Sequence, residues 1–141
     1  MSDPQDIQGI YRIFYQGGAL AGKRTNYPLT VEAPNNPEYE DWIVENLHEH
    51  GHVIRQRTSY EMGLTHPHNV FPGCPVLLND SVMPVRFEPA GQPNHFIIHP
   101  GIDTPGHEDL AMATAPAVDD APKVSWQPND HASVWRFEKI E

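Results

Sequence analysis

Three stretches of the chain open alike and close alike, and this recurrence constrains the fold more than any other feature. GIYRIFY from Gly9, GHVIRQR from Gly51 and NHFIIHP from Asn94 each begin with a polar or glycine residue and continue as an alternating apolar run. Tyr11, Val53 and Phe96 fall 42 and 43 residues apart. The closing runs DWIVEN, PVRFEP and VWRFEK place Trp42, Val85 and Trp135 at spacings of 43 and 50. PLTVEAP, PVLLND and KVSWQPN precede those closings, and ALAGKR, a run over about Met62–Thr65 and DLAMAT supply a weaker second strand. A period of this length marks a repeated supersecondary unit that cannot bury its apolar face alone. Four short strands in each of three units predict an all-β fold, a β-trefoil, with units over about residues 9–50, 51–93 and 94–141 of one domain, 1–141. A two-sheet sandwich also spaces strands in this way, but the matched openings and closings favour the trefoil. The expected core is Tyr11, Ile13, Val31, Trp42, Val44, Ile54, Leu77, Val85, Phe87, Phe96, Ile98, Met112, Val124, Trp135 and Phe137.

Composition agrees with this reading. Fifteen prolines in 141 residues suit short strands and many turns, since proline breaks helices and central strands. Helical periodicity is nearly absent. The segment Tyr39–His48 could form a short helix, but Trp42-Ile43-Val44 within the repeat reads as strand. The net charge of −10 disfavours nucleic acid and anionic membranes, both of which need a basic footprint. The polar start MSDPQDIQG predicts neither a signal peptide nor a membrane span, hence a cytoplasmic protein. Cys74 is the one cysteine, so no intramolecular disulfide is available, and the sequon at Asn79-Asp80-Ser81 is read as chance.

The opening GIYRI, the TVEAP run followed by acidic residues and Trp42-Ile43-Val44, and the closing VWRFEKIE resemble the mushroom β-trefoil protease inhibitors. These are the mycocypins, of clitocypin and macrocypin type, and the cospin-type trypsin inhibitors. The resemblance implies a fungal, cytosolic defence protein, without catalysis of its own, whose surface loops plug protease active sites.

Such inhibition needs a preorganised loop and one side chain that fills the main specificity pocket. Gly22-Lys23-Arg24-Thr25-Asn26-Tyr27-Pro28 lies between the second and third strands. It adjoins two of only nine basic residues in an acidic chain. A trypsin-like pocket carries a buried carboxylate that Arg or Lys satisfies, and Pro28 biases Tyr27 toward extended geometry. Arg24 is therefore the expected pocket residue, with Lys23, Thr25 and Asn26 around it, although a plain solvated hairpin would show the same residues. A second candidate loop centres on His68, Asn69 and Val70, stiffened by Pro67 and Pro72. In clitocypin-type members the matching loop offers an asparagine to legumain. Papain-type inhibition would use Gln16-Gly17-Gly18 and Ala33–Glu38, but the first is much shorter than the clitocypin pattern.

Other chemistry is poorly supported. His48, His50 and His52 would share a face only on a strand, and Gly51 interrupts them. His66 and His68 form a second pair. A structural zinc site usually adds cysteine ligands, so no metal and no cofactor are expected. No G-x-S-x-G elbow, P-loop or dinucleotide glycine pattern occurs, and Cys74 reads as a small buried filler. The rival class is a carbohydrate-binding trefoil. Such lectins usually close each unit with Q-x-W, whereas here Glu40 stands two before Trp42 and Ser133 two before Trp135. The polar runs Asp103–Asp109 and Asp119–Pro122 account for the extra length of the third unit. The partner expected is a serine protease of trypsin type, with a cysteine protease or legumain as alternative, bound by a monomer.

Overall fold

The computed structural model describes residues 7–34, 37–67, 70–101, 110–115, 121–128 and 132–140. Six strands close into a barrel. They are β1 (Gly9–Tyr15), β4 (Asp41–Asn46), β5 (His52–Gln56), β9 (Val85–Pro89), β10 (His95–Pro100) and β13 (Trp135–Lys139). Each pairs antiparallel with the next, and β13 returns to β1. Closure removes free edges, which would otherwise template pairing with other chains.

Three hairpins cap one end of the barrel. They pair β2 (Gly18–Ala21) with β3 (Thr30–Glu32), β6 (Gly63–Thr65) with β8 (Leu77–Asn79), and β11 (Leu110–Ala115) with β12 (Lys123–Pro128). The two-residue β7 (Cys74–Pro75) adds a short pairing with β12. In register, Leu20 faces Val31, Leu64 faces Leu78 and Met112 faces Trp126.

The hairpins lock together through a cyclic set of main-chain hydrogen bonds. The amide of Leu29 donates to the Val76 carbonyl at 2.8 Å, Val76 to Val124 at 3.0 Å, and Val124 back to Leu29 at 2.9 Å. All three side chains are buried. These bonds satisfy buried backbone groups that no ladder reaches, and they mark the threefold axis.

Cross-strand register defines the equivalent positions. Trp42 pairs with Tyr11, Val85 with His52, and Trp135 with Phe96. His52, rather than Val53, is thus the second-unit counterpart of Tyr11 and Phe96. It is buried and its ring lies 4.7 Å from that of Phe87. Two residues further along are Ile13, Ile54 and Ile98, all fully buried. Phe87, Phe96 and Phe137 pack with centroid separations of 5.1–5.9 Å, in the edge-on or tilted arrangements that aromatic quadrupoles favour.

The expected core is buried except at one position. Leu77 is only partly buried, and Leu78 takes the core position instead. Side chains alternate along a strand, so a slip of one residue exchanges the faces, and adjacent leucines hid which one points inward. Trp42-Ile43-Val44 does form strand β4, preceded by a single helical turn over Pro37–Glu40. His48–His50 form a 3-10 turn between units one and two. Gly51 then adopts φ +92°, and a β-carbon there would lie 2.6 Å from the Val85 carbonyl oxygen. No helix among the described residues is long and apolar enough to cross a membrane.

Candidate functional site

The segment between β2 and β3 begins at a packed anchor. The Gly22 amide donates to the Tyr39 carbonyl at 3.0 Å, and the Gly22 carbonyl accepts from Gln56 Nε2 at 2.7 Å. Lys23 and Arg24 then run outward to the surface, where both are exposed. The chain turns at Arg24: the Tyr27 amide donates to the Arg24 carbonyl at 3.3 Å, and Asn26 adopts φ +66°. Asparagine is among the few side chains that take this left-handed conformation readily. Residues 24–27 therefore form a tight turn, and strand-like pairing resumes at Tyr27-Pro28.

Unit two holds this turn in place. The Asn26 amide donates to the Leu78 carbonyl at 2.6 Å, the Leu78 amide donates to the Tyr27 carbonyl at 3.3 Å, and Pro28 bridges to Leu77. The Arg24 guanidinium carbon sits 4.9 Å from the centroid of the Tyr27 ring, a cation–π contact. Lys23 Nζ is 3.1 Å from Glu32 Oε1, and the Thr30 hydroxyl donates to Glu32 Oε2 at 2.6 Å. Thr25 is exposed at the tip.

A depression of about 280 Å³ lies beside the turn, lined among others by Lys23, Arg24, Tyr27, Thr30, Glu32 and Lys123. Lys123 comes from the third unit and was not singled out by sequence reasoning. Its signal lay in the repeat, because Pro28, Pro75 and Lys123 each precede one member of the Leu29, Val76 and Val124 ring. A larger depression of about 410 Å³ lies at the same position in unit two, lined by Pro67, Cys74, Pro75, Leu77, Asn79 and Met83 among others. Thr30 and Glu32 of the first depression correspond to Leu77 and Asn79 of the second. The scaffold thus repeats one hollow with different chemistry, polar and cationic in unit one and mainly apolar in unit two.

The second candidate loop lies partly outside the described residues. His68 and Asn69 lie outside the described residues, as do Asn35 and Asn36 of the 33–38 connection. Val70 is buried in the core, so it is not on a presented surface. Gln16 and Gly17 form a tight turn between β1 and β2, with Gln16 at φ +54°. Cys74 is buried, and burial raises its thiol pKa above the ordinary 9.0, partly offset by a hydrogen bond from the backbone at Phe71. The histidines divide: His48 and His50 are exposed in the turn, while His52 and His66 are buried. His66 places Nδ1 3.0 Å from the Pro67 carbonyl and Nε2 2.9 Å from that of Pro84. Among the described residues no group of three or more His, Cys, Asp or Glu could hold a metal ion.

Known proteins resemble this chain in architecture. A designed protein with threefold symmetry, ThreeFoil, superposes with TM-score 0.74 at 14% identity, covering 94% of this chain and 99% of that one. The fold is a β-trefoil. A Culex salivary protein of the Cysteine and Tryptophan-Rich family is similar over 99% of both chains, with TM-score 0.71 and 14% identity. A ricin B-like lectin from Macrolepiota procera, solved in complex with lactose, matches with TM-score 0.67 and 11% identity over 99% of this chain and 98% of that one. No protein-family profile matches the sequence. No curated protein matches it either. At these identities the likeness carries the trefoil alone, since one fold hosts many functions.

Proposed function

We propose that this β-trefoil is a non-catalytic inhibitor of trypsin-like serine proteases. Arg24 enters the primary specificity pocket and the turn that carries it occludes the cleft. The observation that supports this reading is an exposed arginine at a turn pinned to a neighbouring unit by main-chain hydrogen bonds. The pinning matters because a loop already held in shape pays little conformational entropy on binding. The turn after Arg24 carries the backbone away from an extended path, which favours occlusion over cleavage at that residue. Titration of trypsin with the wild-type chain should give tight inhibition. Arg24→Ala should abolish it with an unchanged thermal midpoint, and Lys23→Ala should reduce it less. Full potency in both variants refutes the assignment.

A second reading, carbohydrate binding, is favoured by the hollow that recurs in units one and two and by the trefoil lectin solved with lactose. Against it, Glu40 and Ser133 occupy the positions where a Q-x-W closing has glutamine. A glycan array decides between the readings: selective retention of a neutral sugar supports the lectin. Legumain inhibition through Asn69 is tested by comparing wild type with Asn69→Ala, and equal potency removes it.

A further inference from the structure

We propose that the hollow beside the β2–β3 turn binds a small phosphate- or sulfate-bearing molecule of about monosaccharide size. This inference goes beyond protease inhibition and does not depend on it.

The argument begins with charge. The chain carries nine Lys and Arg against nineteen Asp and Glu. Lys23, Arg24 and Lys123 nevertheless meet around one hollow, although they come from two different units. Among the described residues one carboxylate lines it, that of Glu32, and it is already engaged by Lys23 and the Thr30 hydroxyl. Among the described residues, no ion pair is formed by Arg24 or Lys123. Two cations that pair with no carboxylate among the described residues therefore border one concavity of an otherwise acidic molecule, and such a site focuses potential on an anion.

Geometry narrows the class. The Arg24 guanidinium is held by the Tyr27 ring at 4.9 Å, so its donors are oriented before a ligand arrives. A planar guanidinium fork matches the oxygens of a phosphate or sulfate, and an ammonium such as that of Lys123 supplies a second point charge. The volume of about 280 Å³ lies near the lower end of ordinary ligand sites, which suits an ester of one sugar ring better than a polymer. Tyr27, half exposed at 53%, offers an amphipathic wall for the uncharged part of the ligand. The equivalent hollow of unit two has Pro75 and Leu77 where unit one has Pro28 and Thr30, and no Lys or Arg lines it. It serves as an internal control.

Amide correlation spectra of the full chain, titrated separately with glucose 6-phosphate, glucose 6-sulfate, inorganic phosphate and glucose, test this. Saturable shifts confined to the amides of residues 23–32 and 123–124 are expected with the esters, weakening as sodium chloride rises. Equal binding of inorganic phosphate would mark a free oxyanion as the ligand. Tighter binding of an ester would mark the sugar as part of it. Lys123→Ala, at an exposed side chain outside the inhibitory turn, should weaken ester binding about tenfold while leaving trypsin inhibition intact. Glucose binding as tightly as the esters, shifts spread evenly over other arginines such as Arg55 and Arg136, or unchanged ester affinity in Lys123→Ala would overturn the proposal.

Discussion

The indole Nε1 of Trp42 donates a hydrogen bond to the carbonyl oxygen of Leu20, 2.9 Å away. It ties a barrel strand to a cap hairpin. Trp135 repeats the contact with Met112 at 3.3 Å, whereas unit two has Val85 in the corresponding place. Trp42→Phe keeps most of the apolar bulk but removes the buried donor. It should cost about 1–3 kcal/mol in urea unfolding, and Trp135→Phe should cost less because its bond is longer. Equal or negligible losses would contradict this account.

Glu40 is 1% exposed, and among the described residues neither carboxylate oxygen has a hydrogen-bond partner. The equivalent positions, two residues before Val85 and Trp135, hold Met83 and Ser133. Ser133 is satisfied there, its Oγ accepting from the Thr114 amide at 3.2 Å. A buried polar group without a partner is costly, so Glu40→Met should stabilise the fold by about 1–3 kcal/mol. A denaturation midpoint at or below that of wild type would refute the assignment.

Two buried acids make the fold sensitive to alkaline pH. Burial raises the Cys74 thiol above 9.0 and the Tyr11 phenol above 10.0, each partly opposed by a backbone hydrogen bond, at Phe71 and Gln8 respectively. The fold favours both protonated forms. Their contribution to stability is therefore complete below the unfolded-state values and is lost as pH rises through the higher folded-state ones. Urea midpoints measured from pH 7 upward should stay level to about pH 9 and then fall. Cys74→Ala should make the first part of that fall shallower.

Gly51→Ala should destabilise the chain by about 1–3 kcal/mol. The new methyl group would meet the Val85 carbonyl at a backbone angle that disfavours side chains. Gly91→Ala provides the comparison, because it has a similar angle, φ +89°, but nothing within 4 Å of an added β-carbon. Equal losses at the two sites would show that backbone strain alone matters.

Much of the framework was legible in the residues. Ile13, Ile54 and Ile98 stand out because they follow matched openings, and all three are fully buried. The slips came where neighbouring residues were equally apolar or where a polar residue took an apolar place. Alternation does not distinguish Leu77 from Leu78, and His52, a polar residue, takes the core position beside Val53. The site was legible in part. The Lys23-Arg24 pair is evident along the chain, but the turn that shapes it depends on Leu78, and Lys123 reaches the hollow only through threefold assembly. Such contacts join residues distant in sequence, so no local pattern encodes them.

Strand β1 is gripped on one side by β4 and on the other by β13, and the Ile140 amide reaches the Ile10 carbonyl at 2.7 Å. No barrel strand can therefore peel away without rupturing two ladders at once. The seam between β1 and β13 also joins the most distant parts of the described chain, so it is slow to form. Once opened, the seam recloses slowly, so under a protease that cleaves faster than it recloses the lifetime of the chain follows the unfolding rate rather than an equilibrium.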